Sequence, residues 1–153
     1  VAKTSVGILL HRGDGESLEV LLVHPGGPFW AKKDEGAWSI PKGEVEEGEE
    51  PLACALRELE EELGSSLDLT PDQLSELGEV RLKSGKVVQC WLAEGEFDPA
   101  TLRSNTFKLE WPPRSGRERE FPEVDRAEWF APEQARRKIN PAQADFIDRL
   151  LAR

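Results

Sequence analysis

The sequence predicts an α/β fold, an α/β/α sandwich with a mixed central β-sheet. Three observations point there. Apolar runs at residues 4–10 and 18–24 flank a glycine-bearing turn, and a second pair, 77–83 and 86–93, flanks Ser84-Gly85, so two hairpins are expected. Residues 51–63 repeat leucine at helical spacing. Residues 142–152, AQADFIDRLLA, place Phe146, Ile147, Leu150 and Leu151 along a closing amphipathic helix. A chain of 153 residues can bury one core, and no internal repeat or low-complexity tract divides it.

In chain order, TSVGILL (4–10) is a buried strand and HRGDGES (11–17) a turn built on Gly13, Asp14 and Gly15. LEVLLVH (18–24) returns as the second strand. His11 and His24 flank this hairpin, where single histidines are more often structural than catalytic. PGGPFWAKKDEG (25–36) is a loop, because two prolines and three glycines break regular structure. Its Phe29, Trp30, Lys32 and Lys33 suit a substrate loop that stacks a base and meets phosphates, or a surface loop pinned by its aromatics. AWSIP (37–41) is a short strand running into Lys42-Gly43. Past the helix, SSLDLTPDQLSE (65–76) is turn-like, with a helical turn after Thr70-Pro71. LGEVRLK and KVVQCWLA form the second hairpin, and Lys86 opens its later strand as a phosphate contact or an edge-strand charge. Residues 94–120 read as irregular apart from a strand at 107–111. In the charged loop 112–120, Arg114, Arg117 and Arg119 are either solvated or able to close over a polyphosphate. FPEVDRAEWFAPEQARRKI (121–139) carries a strand with Trp129 and a short helix at 132–138, broken by Asn140-Pro141.

The helix at 51–63 organises the rest. Pro51 suits its first turn, Glu50 its N-terminus and Gly64 a left-handed C-terminal cap. Leu52, Leu56, Leu59 and Leu63 form one face. Glu58, Glu61 and Glu62, at i, i+3 and i+4, fall together on roughly the opposite side and repel one another. An acidic, solvated helix is the plain reading. A hard divalent cation would instead remove the repulsion and make a site, because Mg²⁺ takes oxygen ligands and keeps room for water and substrate phosphates.

Gly43, five residues, Glu49, seven residues, Arg57-Glu58-Leu59, one residue, Glu61-Glu62, one residue, Gly64: this pattern resembles the Nudix box, the motif of the Nudix hydrolases. Every charged and glycine position matches. Ser65 stands where an aliphatic residue is usual, at a position that packs rather than reacts. The resemblance implies the Nudix fold, a single Nudix domain over residues 1–153, and metal-dependent hydrolysis of a nucleoside diphosphate linked to another group. It implies Glu58 and Glu62 as metal ligands, with Glu61 sharing the metal or orienting water, joined by the Lys42 backbone carbonyl, with Mg²⁺ or Mn²⁺ as cofactor. Arg57 is expected to pair with a box glutamate such as Glu49, and Gly43 to permit the tight loop. A glutamate ahead of the Trp129 strand, Glu123 or alternatively Glu120, is expected as a further metal ligand or general base. Pro41-Lys42-Gly43 is similar to a segment of the branch that cleaves dinucleoside polyphosphates and diphosphoinositol phosphates. With the basic loops and Trp30 and Trp111, it favours a dinucleoside polyphosphate, with Lys42, Lys86, Trp30, Lys32 and Lys33 as substrate contacts. Nucleoside triphosphates and ADP-ribose are alternatives, as is a nucleotide-binding module that cleaves nothing.

Composition narrows the field. The net charge of −10 argues against a nucleic-acid polymer as partner but not against a small anionic substrate reached through a metal and a few lysines. No run of 18 apolar residues exists, so no membrane span is expected. No basic region followed by an apolar stretch marks a secretory signal. Cys54 and Cys90 form no CxxC pattern and no disulfide framework, which points to a reducing, cytoplasmic setting. There is no twelve-residue EF-hand loop pattern.

Overall fold

Strand β1, Thr4–Arg12, is the axis of the main sheet in the computed structural model, which describes residues 3–153. Ser5 to Leu10 are buried, as expected of a strand covered on both faces. A turn at Gly13–Ser17 leads into β2, Glu19–Pro25. The two strands pair only near the turn, His11 with Val20 and Arg12 with Glu19. Beyond that they part, and residues 38–44 fill the gap. Ser39 bridges Val23, the Pro41 carbonyl accepts from the Ile8 N–H at 3.2 Å, and β3, Lys42–Glu44, pairs with Ser5, Val6 and Gly7. The sequence placed a strand at 37–41. Regular pairing begins later, because Pro41 has no N–H to donate and Trp38 and Ser39 each make a single bridge.

On its other edge β1 runs parallel to β5, Val87–Glu94, which is antiparallel to β4, Ser75–Arg81. On the far side β2 pairs antiparallel with β8, Val124–Phe130. The order is β4-β5-β1-β2-β8, with β3 on β1 in the gap. One parallel pair among antiparallel ones makes the sheet mixed.

Helix α1, Pro51–Leu63, covers one face against Val6, Ile8, Leu10, Leu21 and Val23. Helices α2, Pro132–Lys138, and α3, Ala144–Leu151, cover the other around Trp38, Phe130, Ile139, Phe146 and Ile147. The Glu50 carboxylate caps α1 by accepting the Ala53 N–H at 3.0 Å, and Gly64 ends it at φ 80°. A side chain at Gly64 would also overlap the Arg103 carbonyl. The buried set of α1 differs from the leucine stripe. Leu59 and Leu63 are buried, but Leu52 and Leu56 only partly, while Cys54, Ala55 and Glu62 are buried. The helix is rolled toward β3, so Glu62 does not face away from the core.

Residues 112–120 were expected to be a loop throughout. Instead β7, Glu118–Pro122, pairs with β6, Thr106–Glu110, in a two-stranded ribbon outside the main sheet. Neither strand belongs to the two apolar cores, so β7 shows no apolar alternation in sequence. The ribbon leans on the 25–36 loop. The Gly26 N–H donates to the Glu123 carbonyl at 2.9 Å, Phe107 fills the space beside Gly27, and Trp111 meets Phe29 edge-on at 5.4 Å. Among the described residues no helix is long and apolar enough to cross a membrane.

Candidate active site

The loop between β3 and α1 is bound to the helix by one arginine. Arg57 Nε and Nη2 donate to the two Glu49 carboxylate oxygens at 2.8 and 3.0 Å. Its Nη1 donates to Glu61 at 3.0 Å and lies 3.2 Å from Glu58. This planar fork fixes loop and helix together in a way a lysine cannot. The Arg57 hydrogen bonds pull the Glu49 carboxyl down to about 2. Cys54 lies beneath, and burial pushes its thiol up to about 11, which makes it a packing residue.

Gly43 is required by contact. In the β3 register Gly43 lies opposite Val6 and faces α1, where a Cβ would overlap the Glu58 carboxyl group. Its neighbours Lys42 and Glu44 face the opposite side of the sheet, over Gly7 and Ser5. One short strand thus shows its backbone to the helix carboxylates and its charged side chains to the other face.

Glu62 is 9% exposed, and burial pushes its carboxyl up to about 8. Lys42 opposes this shift through its ammonium and its backbone N–H, while Glu58 and Glu123 reinforce it. Glu58 is raised as well, first by burial, then by Glu61 and Glu123, against Arg57. Glu123 reaches this place from the bend between β7 and β8, and with Glu62, Lys42, Ser39 and Pro25 it lines a cavity of about 120 Å³. Glu120 sits on the ribbon opposite Lys108, outside that lining.

The donor chemistry fits a hard divalent cation. Neighbouring carboxylates raise Glu62 and Glu58 beside a loop backbone, and all are oxygen donors. Among the described residues no trio of acidic, histidine or cysteine side chains stands at metal-binding distances, and Glu61 is turned to Arg57.

Burial lowers the Lys42 ammonium, helped by Lys86, while Glu62, Glu44 and Glu58 oppose. Lys86 donates to Glu44 at 3.0 Å and so stands on the face that Lys42 occupies. Trp30 borders a cleft of about 680 Å³ with Leu82, Lys83, Ser84, Pro141 and Ala142. Lys33 places its ammonium 5.0 Å from the Trp30 ring centre, and Lys32 is exposed. Trp111 lies against Phe29 and borders neither cavity; Arg114, Arg117 and Arg119 stay exposed on the ribbon.

Sequence reasoning favoured a structural over a catalytic role for His24. It is 1% exposed, with Nδ1 2.7 Å from Asp125 and Nε2 2.7 Å from the Lys33 carbonyl oxygen. Its partner is a hundred residues away, so no local spacing could have shown it. His11 lies at the other end of the sheet and is lowered by burial.

A family model described as NUDIX domain matches residues 1–150. The RNA pyrophosphohydrolase of Roseobacter denitrificans is 42% identical over 66 residues, which cover 42% of this chain and 35% of that protein. The asymmetrical bis(5'-nucleosyl)-tetraphosphatase of Sus scrofa is 36% identical over 89 residues, 56% of each chain. The matches thus span about half or less of these curated relatives. Among solved structures, a C. elegans Ap4A hydrolase binary complex superposes with a TM-score of 0.66 at 21% identity, covering 97% of this chain and 96% of that one. The NUDIX domain of Shewanella oneidensis NrtR, complexed with ADP ribose, gives 0.63 at 18% identity over 99% and 88%. At these identities the likeness is one of fold.

Proposed function

The chain belongs to the Nudix family, and from that premise we propose that it is a metal-dependent pyrophosphohydrolase, cleaving the pyrophosphate linkage of a nucleoside diphosphate joined to another group. A dinucleoside polyphosphate is the preferred substrate. The observation that carries this reading is the gathering of Glu58, Glu62 and Glu123 beside the Gly43 backbone, with Lys42 and Lys86 on the next strand face. The similarity to asymmetrical tetraphosphatases supports the substrate class.

Glu58, Glu61 and Glu62, with the Lys42 carbonyl, would hold the cation. Bound Mg²⁺ or Mn²⁺ neutralises polyphosphate charge and acidifies the attacking water. Arg57 acts through Glu49 and Glu61, keeping loop and helix in register. Glu123 enters from the bend before β8, where it can orient the water and take its proton. Lys42 and Lys86 offer positive charge to the substrate phosphates, and the burial of Lys42 makes that charge count for more. The Trp30 cleft receives the part of the substrate that does not react, by stacking. Catalysis here is positioning and charge neutralisation. Both free cysteines are buried, in keeping with a reducing, cytoplasmic setting.

The test is phosphate release from diadenosine polyphosphates, nucleoside triphosphates, ADP-ribose and a diphosphoinositol phosphate, with Mg²⁺ and separately Mn²⁺. Preference for diadenosine polyphosphates, lost in Glu62→Gln, is the expected result. Turnover of another compound keeps the chemistry and replaces the substrate. Tight nucleotide binding without metal-dependent turnover would make the chain a binding module.

A further inference from the structure

The 25–36 loop has no regular secondary structure, yet it carries Trp30, Lys32 and Lys33. Its last residues are tied to the body by surface and main-chain bonds. Asp34 accepts from the Trp38 indole N–H at 2.8 Å and pairs with Lys138, and the Gly36 N–H donates to the Arg137 carbonyl at 3.1 Å. Its centre is held differently. There one side chain reaches up from β2 beneath the loop, His24, at 1% exposure. It joins Asp125 on β8 to the Lys33 carbonyl, both at 2.7 Å, and packs edge-on to Trp38 at 5.2 Å. The Lys33 N–H in turn donates to the Trp30 carbonyl at 2.9 Å. One buried ring therefore leads in two bonds to the residue that borders the cleft.

The bridge sets what each group must do. A carbonyl oxygen only accepts, so Nε2 must donate to Lys33. The second axis, between Nδ1 and the Asp125 carboxyl, needs a proton of its own, carried by either partner. A neutral ring against an ionised carboxylate leaves one buried bond unmade. Arg126 lies across the sheet from His24, with its guanidinium 5.1 Å from the Trp38 ring, and Asp34 and Lys138 complete the charged surroundings.

The geometry points to His24 as a positioning residue for the substrate, whose bridge between Asp125 and Lys33 pre-orders the loop bearing Trp30. Its link to catalysis rests on the pyrophosphohydrolase reading; the bridge itself does not. Pre-ordering removes a cost from binding and leaves the chemical step alone. His24→Gln cannot donate in both directions. It is expected to raise KM at least about tenfold with kcat within about twofold, and to speed amide exchange at Lys33. Asp125→Ala should do the same. Asp125→Asn is the discriminating variant, because its amide can donate to an unprotonated Nδ1 while Nε2–H still serves Lys33. The bridge then closes on a neutral ring, and KM should stay within about threefold of the parent.

Amide exchange at Lys33 tests the bridge directly, with slow exchange expected in the parent protein and in Asp125→Asn and fast exchange in His24→Gln. Exchange at Lys33 as fast in the parent as in His24→Gln overturns the proposal. So does an Asp125→Asn as damaging as Asp125→Ala, or a His24→Gln that lowers kcat and leaves KM alone. A parent protein without turnover on any substrate would sink the hydrolase reading only; Lys33 exchange would still decide the bridge.

Discussion

The loop and helix at 42–64 and the loop at 25–36 both border the candidate site, but they are held by opposite means. In the first, the ties are short in sequence. Arg57 grips Glu49 and Glu61, Glu50 caps Ala53, and Glu58 rests on Gly43. In the second, the ties are long. His24 reaches Asp125, Asp34 reaches Lys138, and Gly36 reaches Arg137. The groups proposed for bond cleavage thus sit in a self-contained module apart from Glu123, while those proposed for substrate choice depend on the rest of the fold.

This contrast predicts kcat losses from the first region and KM changes from the second. Glu62→Gln should have the largest effect, a loss of at least about 10³-fold in kcat, read by single-turnover kinetics. The same change should stabilise the metal-free protein. The folded Glu62 carboxyl lies at about 8 against an unfolded 4.5, so the folded state binds more protons between those values. Metal-free stability should therefore be full below about 4.5 and fall as pH rises toward about 8, by about 1–3 kcal/mol in urea titrations. Glu62→Gln should flatten that slope, and Mg²⁺ should reverse it in the parent. An unchanged slope in the variant would show that Glu62 does not carry the effect.

Next comes Gly43→Ala. Its methyl would displace the Glu58 carboxylate, and kcat should fall about 10²-fold with the fold retained by circular dichroism. Arg57→Lys keeps the charge but loses the fork, for an expected loss of about 10–100-fold. Trp30→Ala should have the smallest effect, raising KM about tenfold with little change in kcat. A kcat loss in Trp30→Ala as large as that in Gly43→Ala would erase the distinction between the two regions.

The same contrast explains what could be read beforehand. Helix α1 was legible to its ends, because Pro51, Glu50 and Gly64 act within one turn of themselves. The hairpins followed from alternation and turn residues. The burial of Glu62 was not legible, since the periodicity of the leucines says nothing of how far small Cys54 and Ala55 let the helix roll toward β3. The split between β1 and β2 was equally hidden: both strands look continuous, and only the segment at 38–44 shows where they separate. The pairing of β7 escaped because a strand outside both cores needs no apolar stripe. Glu123 could be nominated only by likeness to a family, and the partners of His24 were visible only in the fold.

The β6–β7 ribbon has one more consequence. It contributes to neither apolar core and touches the loop mainly at Gly26, Gly27 and Phe29. Lengthening or trimming the turn at 111–117 would therefore spare the fold while shifting Trp111 against Phe29. The ribbon is thus where residues can be added or removed to retune what the chain accepts without rebuilding its interior.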